Sequence, residues 1–199
     1  STSLTASTPA VPAALQQSYA KDVTQLGASV PLAYWSMAGA HSPSGVVKCT
    51  GSLGTKCDGQ AVQMSVEKDM PPGFSQGLAD GGARMDRYSG ITVPFVQTLN
   101  LRRSITVEGW FKPSAWSISG VGATVLTASM DSAHARGYGL FMNRGKWEFW
   151  VGPGGVESSI GDVLQLLPNR SLYVVAASSS SAVAEQWTHV AGVFHSDTG

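Results

Sequence analysis

The chain has 199 residues, and its 13 basic and 13 acidic side chains give a formal net charge of +0. Charged residues make up 13% of the sequence, about half their share in a typical soluble domain. This balance offers nothing that would attract nucleic acid or an anionic membrane surface, so we expect neither as a partner. No apolar run reaches the roughly 18 residues that a membrane helix needs, and we expect no direct membrane insertion.

Residues 1–29 differ in composition from the rest of the chain. Residues 1–10 are mainly Ser, Thr, Ala and Pro, which indicates a flexible or extended arm. A helix is predicted to follow, between Pro12 and Gly27, because apolar side chains recur there at helical spacing: Leu15, Tyr19, Val23 and Leu26. A single helix of about 15 residues is marginally stable alone. We therefore expect it to pack either against the main domain or against a neighbouring subunit.

From residue 30 onwards, short runs of β-forming residues alternate with Gly-, Pro- and Asn-containing turns. This pattern predicts an all-β sandwich or barrel. The runs predicted as strands are 32–37, 61–66, 90–96, 104–112, 121–128, 138–143, 146–151, 172–177 and 187–194. The sequence Asn143-Arg144-Gly145 predicts a tight hairpin turn in which Gly supplies a positive φ. Two stretches, 70–87 and 154–170, are predicted as long loops.

Two cysteines and one Asn-x-Ser motif bear on the compartment of the protein. Cys49 and Cys57 lie eight positions apart around a Gly-containing turn, which favours a small disulfide loop, with two free thiols as the alternative. A zinc site is not expected, because no second Cys or His pair stands at ligand spacing. Asn169-Arg170-Ser171 fits the N-glycosylation acceptor motif at Asn169. These features and the low charge indicate an extracellular or cell-surface location.

Several segments, in chain order, resemble the landmarks of one known family. The run Ser104–Pro113, which reads Ser-Ile-Thr-Val-Glu-Gly-Trp-Phe-Lys-Pro, is similar to a signature strand of laminin-G-like jelly-roll domains, a family of the concanavalin A-like class. Segment 186–194 is similar to its Trp-x-His-Val strand. Segments similar to its opening strand, its Gly-x-Ala strand and its central hairpin are 34–36, 59–62 and 137–149. The resemblance implies a two-sheet antiparallel jelly-roll sandwich, with one N-terminal helix in addition.

The resemblance also implies a division of the chain. We expect an arm and an amphipathic helix over residues 1–29, and a laminin-G-like β-sandwich over residues 30–199. In this family the Trp-x-His-Val strand leads into further strands, whereas here the sequence stops within the following turn, at residues 195–199. We therefore expect the sandwich to be incomplete at its C-terminus, with a C-terminal fragment or a neighbouring chain completing it.

Catalytic chemistry finds little support in the sequence. Glycoside hydrolases of this architecture need two carboxyl groups roughly 5–9.5 Å apart, but no second acid follows Glu108 at i+2 or i+4. Glu67 and Asp69 are spaced by two, yet they end a predicted strand before two prolines. No nucleophile elbow and no phosphate loop is present. We expect no catalytic residue and no cofactor. Calcium at Asp131 is the candidate metal site, and an ordinary turn aspartate is the alternative.

Aromatic residues are the better candidates for a binding surface. On the strand 146–151, alternation places Trp147 in the core and Trp150 on the opposite face. We predict a ligand-binding face that includes Trp150, Trp110 and Glu108, because aromatic rings on a sheet often bind sugars or protein partners. The alternative is that loops cover this face and that its rings are simply buried.

The predicted function is a non-catalytic extracellular recognition or adhesion module that binds glycan or protein. One alternative is a structural subunit of an extracellular assembly, connected through the N-terminal arm and helix. The other is part of a glycan-cleaving enzyme whose second carboxylate lies in a C-terminal region.

Overall fold

A computed structural model gives the fold and describes residues 2–7, 30–37, 45–63, 65–67, 82–85, 89–100, 104–120, 123–131, 136–153 and 170–196. The strands in these residues are β1 (Thr2–Ser7), β2 (Val46–Val47), β3 (Gly59–Val62), β4 (Ser65–Glu67), β5 (Gly82–Arg84), β6 (Gly90–Thr92), β7 (Ser104–Phe111), β8 (Ala123–Asp131), β9 (Arg136–Asn143), β10 (Lys146–Pro153), β11 (Val174–Ala177) and β12 (Thr188–His195). An α-helix, α1, spans Ala115–Ser119, and short 3-10 turns span Gly54–Cys57, Gln97–Leu99 and Arg170–Leu172. The described residues are thus mostly strand, as the alternating pattern predicts.

The chain divides into two compact units. The first comprises Ser1–Pro9 and Asn100–Gly199, and the second comprises Ala10–Leu99. In the first unit, a three-stranded sheet has the order β1-β12-β7 and a four-stranded sheet has the order β11-β10-β9-β8. In the second unit, β2, β3 and β6 form one sheet and β4 pairs with β5. Every one of these pairings is antiparallel.

The core of the first unit lies between its two sheets. Its buried cluster combines side chains from β7, β9, β10 and β12: Ile105, Leu140, Met142, Trp147, Phe149 and Val190. On β9 and β10 these residues stand two positions apart, because successive side chains of a strand point to opposite faces. The prediction that Trp147 faces the core is confirmed. Burial of a large apolar side chain contributes roughly 1.5–3 kcal/mol.

The turn between β9 and β10 is the tight hairpin that the sequence predicts. Asn143 pairs with Lys146 across a two-residue loop. Arg144 and Gly145 have φ values of 50° and 76°, and two successive positive φ angles are typical of a type I′ turn. This turn matches the twist of the two strands and sets their register, so that the apolar residues of β9 and β10 share the core face.

The N-terminal segment Thr2–Ser7 is more than an arm. It forms β1, which pairs with β12 from Thr2↔Phe194 to Ser7↔His189. A Ser- and Thr-rich composition permits this, because main-chain hydrogen bonds hold a strand whatever its side chains are. The predicted helix between residues 12 and 27 and the predicted boundary after residue 29 lie outside the described residues and stay predictions.

Residues 32–37 were expected to form a strand, and this prediction is wrong. Their main-chain acceptors bind a nearby loop instead: Leu53 N–H donates to the carbonyl of Leu32, and Thr50 N–H donates to that of Tyr34. A carbonyl that already accepts such a hydrogen bond is satisfied without a neighbouring strand.

Two short elements have no signal in the alternating pattern of the sequence. Within the predicted loop 70–87, Gly82–Arg84 forms β5, so its glycines do not prevent pairing. Helix α1 begins after Ser114, whose hydroxyl accepts a hydrogen bond from the Ser117 N–H and caps the helix. In the part of the chain that the structure describes, no helix has both the length and the apolar composition needed to cross a membrane.

The predicted disulfide between Cys49 and Cys57 is confirmed in the second unit. Asp58 follows it and accepts hydrogen bonds from the Cys49 N–H at 2.9 Å and from Lys48 Nζ at 2.7 Å. The backbone hydrogen bond first, and the Lys48 ammonium second, hold the pKa of Asp58 below its ordinary value. Trp35 Nε1 donates to the Cys57 carbonyl at 2.8 Å. The loop is therefore fixed by covalent and polar contacts together.

Candidate functional site

Strand β7 presents side chains to both sides of the three-stranded sheet. Ile105 and Val107 belong to the core side, so Glu108 and Trp110 lie on the outer side. The antiparallel register places His189 of β12 opposite Trp110, and directly opposed residues share one face of a sheet. Glu108, Trp110 and His189 therefore form a group on the outside of the sandwich.

His189 contacts both of the other side chains. His189 Nε2 lies 3.5 Å from Glu108 Oε2, and the two side chains are 22% and 44% exposed. The rings of Trp110 and His189 lie 5.2 Å apart between centroids, with an interplanar angle of 52°. A carboxylate, an imidazole and an indole ring are thus side by side and partly accessible. This combination can exchange hydrogen bonds with a polar ligand while its ring packs against an apolar surface.

A second tryptophan extends the group. The paired residues of β7 and β12 end at Phe111↔Thr188. The next residues of the two strands, Lys112 and Trp187, are also neighbours. Lys112 Nζ lies 5.8 Å from the centre of the Trp187 ring, which is within cation–π range. The indole N–H groups of Trp110 and Trp187 are buried and have no hydrogen-bond partner among the described residues. We call the following five residues the β7–β12 face: Glu108, Trp110, Lys112, Trp187 and His189.

Trp150, the third residue predicted to bind ligand, lies in the other sheet. It stands on the side of β10 that is opposite Trp147, so the whole sandwich separates it from Trp110. Trp150 is 2% exposed. Its ring stacks on Phe141 at 4.2 Å between centroids, and Tyr173 lies at 5.8 Å. The prediction of an accessible platform at Trp150 is corrected, because neighbouring aromatic side chains cover its ring.

Glu148, next to Trp150, is a buried carboxylate with an exposed fraction of 5%. Its Oε2 accepts hydrogen bonds from Trp150 Nε1 at 2.8 Å and from Asn143 Nδ2 at 3.1 Å. Burial of a carboxylate is costly unless it is hydrogen-bonded. These contacts therefore stabilise Glu148 within the fold and hold the orientation of the Trp150 ring.

The metal and glycosylation predictions fall on residues of which little is described. Asp131 ends β8, where its backbone pairs with Arg136, but its side chain lies outside the described residues. Where side chains are described, His, Cys, Asp and Glu do not gather in a group of three or more that could hold a metal ion. Asn169 and nearly all of the predicted loop 154–170 lie outside the described residues as well. Calcium at Asp131 and a glycan at Asn169 stay predictions.

Two residues of the β7–β12 face, Glu108 and Trp110, are predicted from the sequence, and the other three are not. Lys112 continues the alternation of Glu108 and Trp110, and Trp187 and His189 alternate in the same way near β12. That alternation was the available signal. The missing information was the pairing of β7 with β12, because these strands are far apart in the sequence and other neighbours were equally compatible with the pattern.

A laminin G family model, described as the concanavalin A-like lectin/glucanases superfamily, matches residues 85–199. The matched range covers more than half of the chain and contains every strand from β6 to β12. Neither a curated protein nor a solved structure matches the chain. The family match and the antiparallel sheets together confirm the predicted jelly-roll class.

Proposed function

Because the chain belongs to the concanavalin A-like lectin/glucanases superfamily, we propose that it is a non-catalytic recognition module that binds glycan through the β7–β12 face. The observation that carries this proposal is the partly exposed Glu108 carboxylate beside the rings of His189 and Trp110. A protein ligand on the same face is the alternative. The balanced charge of the chain favours neither nucleic acid nor membrane insertion.

The chemistry of a sugar explains why glycan is preferred. A pyranose ring has an apolar C–H surface and a rim of hydroxyl groups. An indole ring packs on the C–H surface, and a carboxylate and an imidazole nitrogen exchange hydrogen bonds with the hydroxyl groups. His189 is only 22% exposed and contacts Glu108 and Trp110, and these contacts restrict its side chain before a ligand arrives. Less conformational entropy is then lost on binding.

The surroundings of Glu108 support recognition rather than hydrolysis. A pair of catalytic carboxyl groups would have to lie roughly 5–9.5 Å apart. On the outer side of β7 the neighbours of Glu108 are Thr106 and Trp110, and Ala191 lies opposite it on β12. Within the described part of the sheet, the neighbours of this carboxylate thus carry hydroxyl, methyl, indole and imidazole groups. A glycan-cleaving enzyme remains the alternative if a second acid comes from elsewhere.

The disulfide and the family together hint at an extracellular setting. A closed Cys pair such as Cys49–Cys57 persists in oxidising compartments and is rare in the cytosol. We propose secretion or display at the cell surface. We also propose that a further strand, from another segment or from a neighbouring chain, pairs with β7. In the described part of the chain, β7 has no strand on its other side.

Binding to a glycan array, followed by titration of each hit, tests the function. Trp110→Ala should weaken binding at least about tenfold, equivalent to about 1.4 kcal/mol, because the ring surface is lost. Glu108→Gln should weaken it as well, since a charged acceptor binds a hydroxyl more strongly than an amide does. The matched control is Trp116→Ala on α1, a tryptophan that is 68% exposed but lies outside this face.

Three outcomes would contradict the proposal or replace it with an alternative. If Trp110→Ala binds as tightly as the unmodified chain, the ligand uses another surface. A ligand found by pull-down but not on the array would favour the protein alternative. Measurable glycan hydrolysis that disappears in Glu108→Gln would replace recognition by catalysis.

A further inference from the structure

Strand β1 reaches its sheet by a long connection. It pairs antiparallel with β12 along its whole length, although the two strands lie near opposite ends of the sequence. Antiparallel neighbours are commonly joined by loops of about 2–5 residues. Here residues 10–99, which follow β1, form a compact unit of their own before the chain returns to the unit that contains β1.

Strand β12 does not depend on β1 for its position. On its other side it pairs with β7 from Thr188↔Phe111 to His195↔Ser104. Its Val190 is fully buried in the core. Without β1, β12 would therefore remain in place as an edge strand. Its unpaired main-chain N–H and C=O groups would then form a template for another strand.

The long connection weakens the preference of β1 for its own sheet. The entropic cost of closing a loop increases with its length, and the effective concentration of a tethered segment falls as the tether lengthens. The same strand from a second copy would make the same main-chain hydrogen bonds, because exchange of an identical element preserves every contact. The protein concentration and the length of the connection after β1 therefore decide which copy supplies the strand.

We propose that Thr2–Ser7 is an exchangeable strand, and that a second copy of the chain inserts it beside β12 and so joins copies into dimers or longer assemblies. The strand is a six-residue edge strand of its sheet, and short edge elements open at a lower free energy than central strands do. The formal net charge of +0 leaves little long-range repulsion between copies. This assembly does not depend on any ligand of the β7–β12 face.

Cysteines placed across the β1–β12 pair would trap the exchange. Ser3 and Val193 are register partners, and facing residues of an antiparallel pair lie within disulfide reach. A Ser3→Cys chain with one affinity tag is mixed with a Val193→Cys chain with another tag, at increasing concentration and under mild oxidation. We expect a covalent dimer that contains both tags and whose yield rises with concentration. The double variant Ser3→Cys/Val193→Cys should close within one chain when dilute.

Two controls make this result specific. Mixing Ser3→Cys with Ala191→Cys, which is two positions out of register, should give far less mixed dimer. Mixing Ser3→Cys with the unmodified chain reports any exchange with the native Cys49–Cys57 disulfide. If the double variant closes within one chain while the mixture stays monomeric, β1 does not leave its own sheet and the proposal is wrong. If neither disulfide forms, β1 does not pair with β12 in solution, and the proposal is equally wrong.

Discussion

A single glycine allows close contact between the two sheets of the first unit. Gly192 is buried on β12, and a Cβ atom at this position would overlap the ring of Phe149. Phe149 is itself fully buried, and protein cores leave little room for a displaced ring. Glycine is therefore required here because of the close approach of an aromatic ring, and the reason is steric rather than conformational.

Gly192→Ala should lower the free energy of unfolding by about 1–3 kcal/mol, the usual cost of overpacking a core. The matched control is Gly90→Ala on β6, where a Cβ would meet no atom within 4 Å. That change should be neutral or stabilise by about 0.4–1 kcal/mol. Chemical denaturation followed by circular dichroism measures both. Equal effects of the two substitutions would contradict the steric argument.

At the scale of one element, β10 has two covered faces. Trp147 lies in the core between the sheets, and Trp150 lies in a second cluster with Phe141 and Tyr173. The strand is also central within its sheet, between β9 and β11. A strand in this position is fixed by packing on both sides, so substitutions on either face should affect stability before they affect binding.

Trp150→Phe tests the structural role of the outer side of β10. The substitution keeps an aromatic ring but removes the N–H group that donates to Glu148 at 2.8 Å. Loss of a hydrogen-bond donor to a buried carboxylate should lower the free energy of unfolding by about 1–3 kcal/mol. Trp110→Phe is the comparison, because that indole N–H has no partner among the described residues, and it should cost less. Thermal denaturation measures the loss of stability in both variants. A larger loss in Trp110→Phe than in Trp150→Phe would contradict this expectation.

At the scale of the whole molecule, the chain contains two compact units that are stabilised differently. The first unit has a buried aromatic core between two sheets. In the second unit, strands of two to four residues are accompanied by the Cys49–Cys57 disulfide and the Lys48–Asp58 ion pair. Short strands bury little surface, so a covalent link has a larger relative effect there.

Removing the disulfide should therefore destabilise the two units unequally. Closure of so short a loop is worth about 2–3 kcal/mol, and the double variant Cys49→Ala/Cys57→Ala should lose this within the second unit. Hydrogen exchange should accelerate at residues 45–63 and remain slow at β9 and β10. Reductant added to the variant is the control and should have no further effect. Equal acceleration in both units would show that they unfold together.

The sequence by itself determined the approximate positions of strands β7 to β12 and the faces of β7 and β10. Alternation along 104–112 and 146–151 follows from the two-residue period of an extended chain, and the Arg144-Gly145 turn follows from the backbone angles that glycine permits. The Cys49–Cys57 disulfide could also be predicted, because the two cysteines are close in the sequence. Each of these features depends on neighbouring residues, whose geometry the local sequence sets.

Only the tertiary structure decided which strands that are distant in the sequence are neighbours. It placed His189 beside Trp110, covered Trp150, and paired Thr2–Ser7 with β12. A period-two pattern states which side chains share a face but not which distant strand lies next to it. That choice is made by packing over the whole domain and by the entropy of closing long loops. The binding face and the exchangeable strand both depend on such long-range pairing, so neither could be derived from the pattern of the sequence alone.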